Sequence, residues 1–135
     1  MLKKEQERRT SRERGAAAVE FAIIAVVLFM VLFGIFEYGR IFSQLEVFNS
    51  AAREGARVAA VRGTVADIQA AVDAAAEPYT VSAPISITPG GDPPCTDANS
   101  GSQVRVEWQQ NVQISIAILP PLNKNVTIQG TFRCE

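Results

Sequence analysis

The pattern of apolar and polar positions divides the chain into three stretches of different period. From Ala16 to Phe36 it reads AAAVEFAIIAVVLFMVLFGIF, apolar throughout except for Glu20. A helix over that run spans about 31 Å, close to the thickness of a hydrocarbon core. A lone segment in lipid must satisfy every backbone polar group within itself, so helix is the conformation it requires. A buried helix of a soluble domain would need apolar surface around it, and the rest of the chain supplies too little. Beyond the run, Phe42, Leu45, Phe48, Ala52, Ala56, Ala59 and Ala60 recur at three- and four-residue steps and mark one helical stripe. Glu46, Arg53, Glu54, Arg57 and Arg62 mostly fall off it. Ala52, Ala56 and Ala60, spaced by four, form a small-residue ridge that admits close approach by a helix or sheet. That ridge either seats the protein's own domain or serves another subunit.

Gly63 is expected to interrupt the helix, Thr64 to cap a second one with Asp67 as its partner, and Pro78 to end it. The period then changes to two. Val81, Ile85 and Ile87 suggest a first strand, broken or bent at Pro84. Val104, Val106 and Trp108, then Val112, Ile114, Ile116 and Ile118, then Val126, Ile128 and Phe132 suggest further half-buried antiparallel strands. Pro89–Ser102 has the composition of a loop, and Pro120-Pro121 with Asn123–Asn125 reads as the last connection. A small sheet with one apolar face needs a cover, and the upstream amphipathic helix is available. The expected fold is α+β. Its parts are a leader over 1–15, a long helix over 16–62 with 16–36 transmembrane, a short helix over 63–78, and a β-rich domain over 79–135.

Charge gives the segments a direction. Within Met1–Gly15, Lys3, Lys4, Arg8, Arg9, Arg12 and Arg14 outweigh Glu5, Glu7 and Glu13, a net +3, while the remainder carries −4. Cations concentrated before the span predict a cytoplasmic N-terminus and an extracytoplasmic domain. The apolar run is longer than a signal-peptide core and no A-x-A-like site follows it, so it reads as a retained anchor. The mildly acidic body lacks the clustered cations that nucleic-acid binding requires. Histidine is absent, which removes the commonest neutral-pH base and zinc ligand. The two cysteines, Cys95 and Cys134, are too far apart for a C-x-x-C redox or metal motif. A disulfide between them fits an oxidising compartment; two free thiols in a reducing cytosol are the alternative.

Arg14-Gly15 is followed by AAAVEF, which makes Glu20 the fifth residue after Gly15 and Phe21 the sixth. A basic leader, a glycine, and an apolar helix interrupted only by glutamate at its fifth position resembles a type IV prepilin processing site. The glutamate-aromatic pair, the wider run RERGAAAVEFAIIAVVLFMVLFGIFEYGR and the later AAREGARVAA at Ala51–Ala60 resemble the TadE-like pseudopilins of the tight-adherence (Tad/Flp) pilus system. The likeness covers about the first 62 residues and is absent from the β-rich part. It implies cleavage between Gly15 and Ala16 by a prepilin peptidase, and a pilin-like fold. It also implies a minor-subunit role among other pilin or pseudopilin subunits and Tad inner-membrane assembly proteins, starting from the bacterial inner membrane. Glycine offers a protease easy access to the backbone, and the charged leader would hold the bond at the inner surface. The likeness further implies that the Glu20 carboxylate pairs with the N-terminal amine of a neighbouring subunit. An ionised side chain in a bilayer core costs at least ~2.5–3.5 kcal/mol unless it snorkels or is paired. Its other reading is a glutamate that merely sits among the headgroups.

Glu37 and Arg40, three apart on one helix, can pair at the outer membrane boundary. Gly34 and Gly39 would allow close helix contact or bending. Asp92, Asp97 and Asn99 share the long loop at a spacing that matches no defined calcium loop. No catalytic triad, Cys/His pair or phosphate-binding glycine loop stands out, so neither catalysis nor a cofactor is expected. The rival to a pilus subunit is a single-pass membrane protein with an extracytoplasmic β-rich binding domain; a membrane-tethered enzyme ranks third.

Overall fold

The computed structural model describes residues 2–82, 84–115 and 120–135, with residues 2–14 described as backbone alone. Ile116 and Ile118, expected on a strand, lie outside the described residues, as do the side chains of the basic leader. The fold is α+β: a long apolar helix, a short helix and a three-stranded antiparallel sheet.

Helix α1 runs Leu2–Ala60. It begins well before the apolar run because the leader is built of Lys, Glu, Gln and Arg, all strong helix formers. Its end lies just before Gly63, the residue expected to interrupt it. The left-handed residue is Arg62, at φ 66°, rather than Gly63. Gly63 N–H donates to Val58 O at 3.0 Å and Arg62 N–H to Ala59 O at 3.2 Å, the paired bonds of a Schellman cap. Gly63 is needed for space: a Cβ there would stand 2.8 Å from Val58 O. The turn leads directly into α2, Val65–Ala76. Thr64 Oγ1 accepts from Asp67 N–H at 3.2 Å and Asp67 Oδ2 accepts from Thr64 N–H at 3.0 Å, a complete capping box. Asp92 Oδ1 accepts from Val65 N–H at 2.9 Å, which ties the long loop to the same helix end.

The sheet has the order β1 (Ser86–Thr88), β2 (Gln103–Ile114), β3 (Leu122–Arg133), every pairing antiparallel. Three strand expectations are corrected. The first strand is only three residues long, hemmed by Pro84 and Pro89, which cannot donate to a ladder. Val81 and Ile85 pack on the core outside it. The two runs expected around Trp108 and Val112 are one strand. Val104, Val106, Trp108, Gln110 and Val112 all face inward, so the alternation passes unbroken through a polar residue. Asn123–Asn125, expected in a connection, pair with Asn111–Gln113 inside β3. Gln110 is buried and fully partnered. Its Oε1 accepts from Ser82 N–H (3.1 Å) and Trp108 Nε1–H (3.0 Å), and its Nε2 donates to Ser82 Oγ (2.6 Å) and Thr80 O (3.3 Å).

The β2–β3 hairpin lies lengthwise against the outer half of α1. At one end Glu135 N–H donates to Ala60 O at 3.1 Å; at the other Ser115 N–H donates to Glu37 Oε1 at 3.0 Å. The stretch of α1 between those two contacts is about 35 Å long and β2 about 36 Å, at 1.5 and 3.3 Å per residue, so strand and helix match in length. Between them lie Phe48, Ala51, Ala52, Ala56 and Ala59 of α1, Ile68 and Val72 of α2, and Val104, Val106, Trp108 and Ile128 of the sheet, all buried. The small-residue ridge thus seats the protein's own sheet. Its counterpart is Gly130, where a Cβ would collide with the carbonyl of Ala52. Phe42, expected on the stripe, is 54% exposed because it lies beyond the core toward the apolar N-terminal part of α1. A disulfide joins Cys95 to Cys134, both buried, and fastens the long loop to the end of β3.

Candidate functional site

The sequence-derived residues fall in two regions that do not meet. Gly15, Ala16, Glu20 and Phe21 are exposed on the part of α1 that the domain leaves uncovered. Phe21 is 72% exposed, and no atom lies within 4 Å of a Cβ built at Gly15. Glu20 is the single charge between Ala16 and Phe36. About 25 Å of helix separates it from Glu37, where the domain begins. Cys95 and Cys134 are structural, at the far end of the domain. Gly34 and Gly39 also meet nothing within 4 Å, so whatever close packing they permit is not used inside this chain.

This uncovered segment has the surface of a membrane span. Among the described residues one helix is long and apolar enough to cross a bilayer; its best 18-residue window has a mean hydropathy of 2.8 and none of it is buried. Ile23, Val27, Phe29, Leu32, Phe33 and Phe36 point in all directions around the axis, each more than half exposed. In water that surface would be a severe liability; in lipid it is the expected solvent-facing side. One such helix near the N-terminus fits a single-pass membrane protein.

At the C-terminal end of this apolar segment a polar cluster was only half legible in the sequence. Glu37 and Arg40 form a two-bonded ion pair, with Nη2 to Oε1 at 2.6 Å and Nε to Oε2 at 3.0 Å. The pair also grips the hairpin end: Arg40 Nη2 donates to Gln113 O at 3.2 Å, and Glu37 Oε1 accepts from Ser115 N–H. The Arg40 guanidinium, then the Ser115 amide, lower the Glu37 pKa from 4.5 to about 2; the same pairing raises that of Arg40. The three-residue spacing predicts the ion pair, whereas Gln113 and Ser115 carry no sequence signal because they contribute backbone groups.

The acidic loop residues are each engaged by protein. Asp92 caps α2, Asp97 pairs with Arg62, and Asn99 Oδ1 accepts from Thr96 N–H at 2.6 Å while its Nδ2 donates to Pro94 O at 2.8 Å. The outer face of the sheet holds a shallow polar cleft of about 280 Å³ lined by Thr88, Gln103, Arg105, Glu107 and Thr131.

Residues 15–57 match the family model described as TadE-like protein. The match covers the uncovered helix and all but the last three residues of the part of α1 that carries the domain, and stops before α2 and the sheet. No curated protein and no solved structure matches the chain. Over those residues the chain is similar to TadE-like proteins.

Proposed function

We propose that this TadE-like chain is a minor pilin or pseudopilin of a tight-adherence pilus, anchored by α1 and processed before it assembles. The observation that carries the reading is the division of α1. Its outer half is sealed by the protein's own domain, and its inner half is bare, apolar and marked by one carboxylate at the fifth position after a glycine. A segment of that length, with no intramolecular partner, is available first to lipid and then to neighbouring copies.

In this reading a prepilin peptidase cuts between Gly15 and Ala16 on the cytoplasmic side. Cleavage removes the net +3 leader and creates a new amine at Ala16. The Glu20 carboxylate of one subunit then meets the amine of the next, and Phe21 packs beside it. Each charge in a water-poor interface offsets the other's desolvation, so the pair fixes axial register between subunits. The domain stands on the extracytoplasmic side, where the Cys95–Cys134 disulfide persists. The other partners are Tad inner-membrane assembly proteins. No role in the reading requires catalysis.

The experiment is N-terminal sequencing of protein recovered from membranes that contain the pilus peptidase. The expected mature terminus is Ala16, and Gly15→Glu should stay uncut. Glu20→Ala should reach the membrane in normal amounts, be cut normally, and be depleted at least tenfold from assembled material. An intact Met1 in the wild-type protein would remove the processing claim, and unimpaired incorporation of Glu20→Ala would remove the register claim.

A further inference from the structure

The hairpin end of the domain is bound to the first residue after the membrane span. Residues 16–36 fill a hydrocarbon core of about 30 Å, which puts Glu37 at its outer edge. Ser115 N–H is bonded to the Glu37 carboxylate, so β2 ends at that level. Ile114 is paired with Leu122, which brings the start of β3 down to the same level, within about 5 Å along the strand axis. The headgroup layer on one side of a bilayer is about 5–7 Å deep. The end of the sheet therefore lies inside it.

The exposed residues at that level have the composition of a membrane-interface surface. Leu122 is 61% exposed, whereas Ile128 and Gly130, on the same side of β3 further along, are buried. Tyr38 (71%) and Phe42 (54%) are exposed on α1, their rings stacked with centroids 6.3 Å apart. Lys124 follows Leu122 by two, on the same side of the strand, and is exposed. Apolar tips, aromatic rings and a long cationic side chain are what the headgroup region accommodates. The domain's outer sheet face, by contrast, is polar along its length.

We infer that Leu122, Tyr38, Phe42 and Lys124 form a foot that seats the domain on the outer headgroup layer of the bilayer its own helix spans. The argument for lipid over a protein partner is continuity: the foot adjoins the span, and the Glu37–Ser115 and Arg40–Gln113 bonds fix its height. The ion pair thus acts as a heel that keeps the sheet from tipping away. The inference rests on α1 being a membrane span, but not on pilus assembly.

The test uses the full chain in vesicles of phosphatidylethanolamine and phosphatidylglycerol, with a nitroxide attached in turn to Leu122→Cys, Thr131→Cys and Ile24→Cys. Thr131 lies on the same strand about 30 Å further out, and Ile24 lies within the span. Accessibility to oxygen and to a water-soluble nickel chelate is compared at each site. The expected oxygen-to-nickel ratio at Leu122 is several-fold above that at Thr131 and below that at Ile24. A Leu122 ratio equal to that at Thr131, with Ile24 in lipid, overturns the foot and leaves the span intact. A Leu122 label shielded from both reagents also overturns it, by placing protein there. An Ile24 label read as aqueous removes the span and the foot together.

Discussion

Replacing Gly130 by alanine tests how the domain is fastened to its helix. The added Cβ would strike the carbonyl of Ala52 and stand 2.6 Å from Arg53 N. Both obstacles are helix backbone, so no side chain can rotate away. To restore ordinary contact α1 and β3 must separate by roughly 1 Å, a gap that forfeits a quarter to a half of each dispersion contact across it. The contacts at risk are those of Phe48, Ala51, Ala52, Ala56 and Ala59, all fully sealed. Overpacking against a rigid neighbour costs typically 1–3 kcal/mol, and the backbone collision places this variant near about 3. For a domain of this size that lowers the thermal midpoint by about 12 °C or more. The assay is thermal and denaturant unfolding of the full chain in detergent, followed by fluorescence of Trp108, the single tryptophan and 3% exposed. Gly90→Ala serves as control, since a Cβ there meets nothing within 4 Å; its change should stay within about 0.5 kcal/mol. Equal midpoints for Gly130→Ala and Gly90→Ala would refute the claim that α1 rests on β3 at this point.

Three further outcomes follow from the same contacts. Reducing the disulfide, or replacing Cys95 and Cys134 by serine, frees a loop that the bond closes across a separation of 39 residues; the expected loss is about 4 kcal/mol in the chain-entropy account, read from denaturant midpoints. Gln110→Leu leaves Ser82 N–H and Trp108 Nε1–H without their acceptor, for an expected cost of about 3 kcal/mol and a shift in Trp108 emission; an unchanged spectrum would argue against the buried network. The Glu37 carboxylate has a pKa lowered from 4.5 to about 2. A lowered carboxyl pKa contributes stability that is full above 4.5 and is lost as pH falls through about 2, so the Ser115 amide should keep its exchange protection to pH 4 and lose it near pH 2. Loss already at pH 5, or persistence in Glu37→Ala at every pH, would contradict that assignment.

The long apolar helix, the capped second helix and the inward faces of β2 and β3 were legible because each rests on a period or a local motif. The hydrophobic run from Ala16, the Thr64/Asp67 pair and the alternation around Val106 need no knowledge of the rest of the chain. The errors came where tertiary context overrides local chemistry. Gln109, Gln110 and Asn111 read as an interruption between two strands, yet Gln110 is inward and satisfied by Thr80, Ser82 and Trp108, none of which the pattern could bring to it. Asn123–Asn125 read as a turn, yet they face Asn111–Gln113 in register, and Asn111 Nδ2 donates to Asn125 Oδ1 at 2.9 Å. Gly63 interrupts the helix as expected, but it does so by making room, while Arg62 takes the left-handed conformation.

The same contrast separates the two halves of α1. From Gly15 to Phe36 the helix is left uncovered by the domain, and Gly15, Glu20 and Phe21 are exposed there. From Glu37 onward the helix is read by its own sheet. Ala52 meets Gly130 of β3, and Ala52 and Ala56 are fully buried, so no second subunit can share that ridge. The proposed packing between subunits is thereby confined to the bare segment and to surfaces away from the stripe. A chain that buries its outer half on itself can still join neighbours through its inner half without unfolding. That division ties the proposed role of Glu20 to the exact seating of a domain about 25 Å away. If Gly130→Ala lifts the sheet and frees the alanine ridge, new association through Ala52, Ala56 and Ala60 should appear in detergent as oligomers absent from the wild type.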